Sequence, residues 1–171
     1  MNIDLSKWYK YLAPRTTVLV STANSQGVSN AAPFSFVMPV STNPPIIAVA
    51  MVATRHTLAN IRATGDFVIN VPGEDILKQL MICAQPLPPG ISEIKEAGLT
   101  EQKAAQVGSP RIKECLAWFE CRLREEIPAG DHLIILGDIV HAEARDSAAA
   151  QPLLHIGGVD FSLPGKTLKA E

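Results

Sequence analysis

Asn30-Ala-Ala-Pro-Phe-Ser-Phe36, Ser41-Thr-Asn-Pro-Pro45, Ile46-Ile-Ala-Val-Ala-Met-Val52 and Thr54-Arg-His-Thr57 follow one another closely, and together they decide the fold. The third piece is a short, continuously apolar run behind a Pro-Pro pair, the pattern of a buried strand. Residues 57–65 then place Leu58, Ala59 and Ile61 on one side and close on Gly65, the pattern of a short helix. A strand, a polar turn carrying Arg55 between two threonines, and a helix start make a workable anion site. The first N–H groups of a helix lack intrahelical partners, and the positive end of its dipole points the same way.

Charge supports that reading. Residues 5–65 contain no Asp or Glu, although Lys7, Lys10, Arg15, Arg55 and Arg62 all lie there. A helix start ordinarily draws carboxylates into its first turn, and this one has none. Buried strands also carry few charges, so the asymmetry alone does not establish a ligand.

The chain has 171 residues, 47% of them hydrophobic, and a net charge of −2. That is enough to bury a core without staples, and it predicts one domain over residues 1–171 with its core at about 14–158. A near-neutral chain with no basic stripe gives no nucleic-acid footprint. No apolar run reaches the roughly 18 residues of a membrane span, and the first ten residues lack the basic-then-apolar order of a signal peptide. Three cysteines without a CxxC pair make a disulfide framework improbable. The expected compartment is the cytoplasm.

Working outward, residues 5–12 suggest a helical turn or two, ended by Pro14. Residues 15–22 are β-branched and read as a strand. Asn24-Ser-Gln-Gly27 turns the chain, and residues 28–38 return as the second arm of a hairpin. Pro33 confines that arm to an edge, bulge or bend. Residues 66–71 form a strand stopped by Pro72-Gly73. Residues 74–81 read as helical, 85–90 as a rigid proline loop, and 92–97 as a helical turn capped by Ser92. The segment 74–108 is expected to cover one side of a barrel. Ala117, Phe119, Cys121 and Leu123 alternate with Trp118, Glu120, Arg122 and Arg124, a strand with one buried face. After a turn at 128–131, residues 132–144 return as a long strand, and 152–158 form a last short one. Many short strands with few helices point to a mainly β protein built on an antiparallel barrel.

Protein-borne chemistry is sparse. Cys115 and Cys121 are too far apart along a strand to bridge or share a metal. His132 and His141 stand at an odd offset, so an unbroken strand places them on opposite faces. Cys83 has no His or Asp at a telling offset and reads as an inert thiol. No nucleophile elbow, dinucleotide fingerprint or phosphate loop is present. His155, beside Gly157-Gly158, is the most suggestive single histidine. No metal site and no catalytic side chain are expected, and any reaction falls to a cofactor.

Asn30-Ala-Ala-Pro-Phe-Ser-Phe36, Pro44-Pro45, Arg55-His-Thr57 with Asn60, Thr64-Gly-Asp-Phe-Val-Ile-Asn-Val71, Gly98-Leu-Thr100, Glu120-Cys121 and Gly130-Asp-His132 together resemble the flavin reductase-like, FMN-binding split-barrel family, with flavoredoxin-type proteins as a close branch. The likeness runs from about residue 14 to 158. It implies a six-stranded antiparallel split β-barrel and a homodimer with one FMN per subunit near the interface. It also implies that Asn30, Ala31, Ala32, Pro33, Phe34 and Ser35 line the isoalloxazine ring. Ala50 and Met51 would lie along the ring or ribityl chain, Arg55 and Thr57 with Asn60 would hold the phosphate, and His155 would stand close to the flavin. The implied activity passes electrons from NADH or NADPH through FMN to free flavin or a redox protein partner. The alternative is an FMN-carrying electron-transfer protein without its own nicotinamide activity. Two departures concern the substrate side: many relatives carry Lys near Glu93, and an aromatic Tyr soon after the Gly-Gly, where this chain has Asp160-Phe161.

Overall fold

The computed structural model describes residues 2–88, 90–146 and 150–170. A 3-10 turn, Trp8–Leu12, leads into β1 (Arg15–Thr16), β2 (Val18–Ala23), β3 (Ser29–Phe34), β4 (Val37–Thr42) and β5 (Pro45–Met51). Helix α1 (His56–Thr64) and β6 (Asp66–Val71) follow. The covering excursion carries α2 (Leu77–Cys83), α3 (Glu93–Glu96), β7 (Glu101–Gln102) and β8 (Arg111–Ile112). The long strands β9 (Ala117–Ala129) and β10 (His132–Ala144) precede β11 (Leu154–Gly157) and β12 (Asp160–Ser162).

The main sheet runs β3-β2-β6-β9-β10-β5-β4 with every pairing antiparallel. Its two edges, β3 and β4, are consecutive in the chain and are separated only by Ser35 and Phe36. A flat sheet of that order would hold its edges six strand spacings apart, about 28 Å, which two residues cannot span. The sheet therefore curls until its edges meet, and the seam between them is the split of a split barrel. The expected count of six strands becomes seven, because the segment read as one arm, residues 28–38, breaks at Ser35–Phe36 into β3 and β4. Pro33 lies on an edge strand, where its missing N–H breaks no ladder.

The hairpin turn is built as expected. Asn24 Oδ1 accepts from the N–H groups of Gln26 and Val28, both at 2.9 Å, and Gly27 takes the left-handed conformation that closes it. Helix α1 ends on Gly65, also left-handed, whose N–H reaches Ile61 O at 2.7 Å. Ser92 caps α3 by accepting from Lys95 N. Of the expected rigid loop at 85–90, Pro89 lies outside the described residues.

Two apolar clusters sit on opposite faces of the sheet. The inner one joins Val18, Val20, Ile47, Val49, Phe67, Ile69, Cys121 and Ile135 from the barrel strands with Leu58 and Ile61 of α1. The outer one packs Leu19, Val68 and Trp118 against Ile76, Leu80, Ile94, Leu99 and Ile112 of the excursion. The excursion thus covers one side of the barrel, and strands β2, β6 and β9 are buried on both faces.

Double coverage overturns one expectation. Strand β9 does not expose Trp118 and Glu120: both are buried, Glu120 to 0% exposure. Its carboxylate accepts from Ala105 N at 2.7 Å and Gln106 N at 2.6 Å, and pairs with the Arg111 guanidinium at 2.7 Å. Arg111, itself 3% exposed, also reaches Glu143 and lies over the Trp118 ring. Burial pushes Glu120 upward, but these N–H donors and the guanidinium outweigh it and hold the group below its ordinary value.

Among the described residues no helix is long and apolar enough to cross a membrane. Gln in place of Glu120 leaves Arg111 short of a partner and should cost about 3–5 kcal/mol, read by urea unfolding at pH 7. A depressed folded value means that Glu120 contributes fully above 4.5, and that its contribution is lost as pH falls through the lowered value. The stability gap between parent and Glu120→Gln should therefore narrow in acid.

Candidate functional site

The edge strand β3, the start of α1 and the end of α2 enclose a cleft of about 300 Å³, lined among others by Asn30, Ala32, Pro33, Thr54, Arg55, Thr57, Cys83 and Glu93. A second hollow of about 160 Å³ shares Pro33 and Arg55 with it, and adds Phe34, Ser35, Phe36, Ala50, Met51 and His132. The cleft thus runs from the helix start along the β3 side of the barrel seam.

At its polar end, Arg55 occupies the N-cap of α1 in extended conformation and no side chain caps the helix. The first turn holds no acid. Arg55 is exposed and enters no ion pair among the described residues. An uncapped helix start beside a guanidinium that pairs with no acid among the described residues has the donors and charge to receive a phosphate or similar anion.

Behind the helix start lies a buried polar hub. Asn30 Oδ1 accepts from Thr57 Oγ1 at 3.0 Å and Thr22 Oγ1 at 3.4 Å, while its Nδ2 donates to Glu93 Oε2 at 2.9 Å. Asn60 Nδ2 donates to Thr22 Oγ1 at 3.0 Å, and Ala31 N reaches Glu93 Oε2 at 3.3 Å. These partners fix the orientation of the Asn30 amide, its oxygen toward hydroxyls and its nitrogen toward the carboxylate.

The expected site residues divide accordingly. Asn30, Ala32, Pro33, Phe34, Ser35, Ala50, Met51, Arg55 and Thr57 line the two connected hollows. The side chain of Ala31 is buried in the outer cluster, and it meets the site through its N–H. Thr57 Oγ1 and Asn60 Nδ2 donate within the hub, and Asn60 borders a neighbouring hollow beside Asn24 and Ser29. His155 comes to Ser35: its Nδ1 is 3.0 Å from Ser35 Oγ and 3.3 Å from Arg15 Nη2, and its Nε2 is 3.3 Å from Gly158 O. The carbonyl requires the proton on Nε2, so Nδ1 accepts and the Ser35 hydroxyl donates to it.

Sequence reasoning missed Thr22, Arg15 and the cleft-facing role of Glu93. Arg15 lies over the Tyr9 and Phe36 rings and pairs in register with His155; only the β1–β11 pairing brings them together. Cys83 is buried, and burial aided by Glu93 pushes its thiol up to about 12, which leaves it unreactive as expected. No cluster of three or more His, Cys, Asp or Glu among the described residues could hold a metal.

The described geometry fits a phosphorylated planar ligand: an anion receptor at one end, then an apolar wall of Ala32, Pro33 and Ala50 ending at the Ser35 hydroxyl. Residues 11–163 match the flavin reductase like domain. The chain is 37% identical to an uncharacterized protein of Methanothermobacter thermautotrophicus, over 79% of this chain and 66% of that protein. It is 29% identical to the reductase component of 4-nitrophenol 4-monooxygenase/4-nitrocatechol 2-monooxygenase of Rhodococcus opacus, over 74% of this chain and 65% of that protein. The crystal structure of nitrilotriacetate monooxygenase component B from Bacillus cereus superposes with a TM-score of 0.90 at 25% identity, covering 99% of this chain and 98% of the other.

The hub carries its own test. Asn30→Asp preserves shape but sets a second carboxylate against Glu93 in place of a donor. It should destabilise the fold by about 1–3 kcal/mol at pH 7, and recover on acidification as the two carboxylates come to share a proton. Urea unfolding at pH 7 and pH 5 measures both effects.

Proposed function

Starting from the membership of this chain in the flavin reductase-like family, we propose that it binds FMN in the Arg55 cleft and passes electrons from NADH or NADPH to free flavin or a redox protein partner. The observation that carries this reading is the unpaired guanidinium of Arg55 at an uncapped helix start, opening onto an apolar wall. When bound, the flavin supplies the redox chemistry, accepting hydride from a reduced nicotinamide and passing electrons onward.

The residues of the chain bind and orient. Arg55 and the first N–H groups of α1 hold the phosphate, and Asn30 stiffens that corner from behind. Ala32, Pro33 and Ala50 give the ring a flat apolar seat. Ser35, its proton committed to His155 and its oxygen also accepting from Arg15 Nε at 3.5 Å, offers its remaining lone pair to a ring donor at the seam. Arg15 Nη2, 3.3 Å from the same Nδ1, helps hold the imidazole in place. Catalysis then rests on placement, with no obligatory acid or base from the protein. The reductase named in Rhodococcus opacus supports an outlet toward a partner oxygenase.

A homodimer belongs to the same reading. Phe36 before β4, Met38 and Val40 of β4, and the neighbouring Trp8 and Leu12 are all exposed. All of these but Val40 border an apolar hollow of about 480 Å³ that shares Ser35, Phe36 and Ala50 with the second hollow of the site. An apolar edge strand left open to water is an association surface, and a second copy covering it would close the seam end of the site.

The purified protein should be yellow, and NADH or NADPH should bleach the oxidised flavin band without another protein. A holoprotein that neither nicotinamide bleaches is a carrier instead of a reductase. Arg55→Ala should weaken FMN binding by roughly ten- to a hundredfold, the value of one charged hydrogen bond; unaltered affinity removes Arg55 from the phosphate site. Sedimentation should give a dimer, which Met38→Lys splits.

A further inference from the structure

Glu93 is a buried acid in a cleft read as an anion receptor. It is 4% exposed and lines the same 300 Å³ as Arg55. One carboxylate oxygen, Oε2, is held by Asn30 Nδ2 and Ala31 N. The other, Oε1, has no hydrogen-bond partner among the described residues, and no cation pairs with the group there. Among those residues, the one buried side-chain oxygen sealed from solvent without a partner is Thr17 Oγ1. Oε1 therefore reaches solvent, and Glu93 lines the cleft. A carboxylate oxygen so placed and left single is a receptor for a ligand donor.

The cleft consequently has two poles. Arg55 and the α1 start favour negative charge, and Glu93 opposes it. One phosphate satisfies the first pole and avoids the second. A second phosphate in the same volume must approach Glu93, where like charges in a partly desolvated space repel strongly. A hydroxyl, by contrast, is welcome there as a donor.

We propose that Glu93 is a specificity-determining residue: its Oε1 accepts from a ligand hydroxyl and excludes a second phosphate, so that the cleft takes a flavin monophosphate over the diphosphate-bearing dinucleotide. This rests on the flavin reading above and sharpens it by naming the ligand class. Selectivity arises here from a repulsive element as much as an attractive one.

The test titrates the full-length, flavin-free chain with FMN, FAD and riboflavin, following the quenching of flavin fluorescence. The parent should bind FMN at least about tenfold more tightly than FAD. Glu93→Gln keeps the shape and an acceptor but removes the charge, and should bring the two within about threefold. Glu96→Gln, the same change at an exposed position of α3, should leave the ratio of the parent intact. A merely structural role for Glu93 would weaken both flavins alike and leave their ratio unmoved, which overturns the inference. A parent that binds FAD as tightly as FMN overturns it without any variant, even if Glu93→Gln fails to fold. A parent that binds none of the three flavins removes the flavin reading itself, and Glu93 falls with it.

Discussion

The constraint on which the rest depends is topological. Strands β3 and β4 are the two edges of one seven-stranded sheet, yet only Ser35 and Phe36 join them. The link is too short for anything but a closed sheet, and its geometry leaves a seam. Edge strands expose unpaired N–H and C=O groups that invite unwanted pairing. Here the two ends of the β3 edge are treated differently. Near Ala31, α3 covers the edge and Glu93 accepts its N–H. From Ala32 to Ser35 the edge faces the cleft. The break that completes the barrel is also what leaves this stretch of backbone open toward the cleft.

The same closure explains why the site draws on distant parts of the sequence. Arg55 follows the strand beside one edge, Asn30 lies on the other edge, and Glu93 belongs to the covering excursion. The acid-free stretch from residue 5 to 65 supplies the cationic pole. The opposing acid arrives from outside it. The excursion buries apolar surface on Leu19, Val68 and Trp118, and in docking there it delivers a carboxylate to the cleft. Packing and polarity of the site are thus set by one contact.

What was legible in the sequence follows from this. Strands β2, β5, β6 and β10, helix α1 with its Gly65 stop, and the Ser92 cap were readable because each rests on local periodicity, turn chemistry or capping. Arg55 was readable because a helix start without acids is a local signal. The break at Ser35–Phe36 was not, since an apolar-polar mixture across residues 28–38 continues a strand as well as it ends one. Glu120 was misplaced because alternation presumes a single covered face, whereas β9 is covered on both. Its partner Arg111 lies in a two-residue strand with no period to read. The hydrogen bonds of Thr57 to Asn30 and of Asn60 to Thr22 leave no local signal, because the tertiary position of β2 and β3 brings those partners to the helix start.

Two arginines show how the structure separates holding itself together from holding something else. Arg111 is buried, and a buried guanidinium without carboxylates is strongly unfavourable; Glu120, Glu143 and the Trp118 ring answer that need. Arg55 is exposed, so water solvates it and the fold requires no acid beside it. Its freedom from carboxylates therefore costs little in stability, and it leaves the charge available. Asn30 is the point where the separation ends, because its amide both orders the helix start through Thr57 and fixes the carboxylate of Glu93.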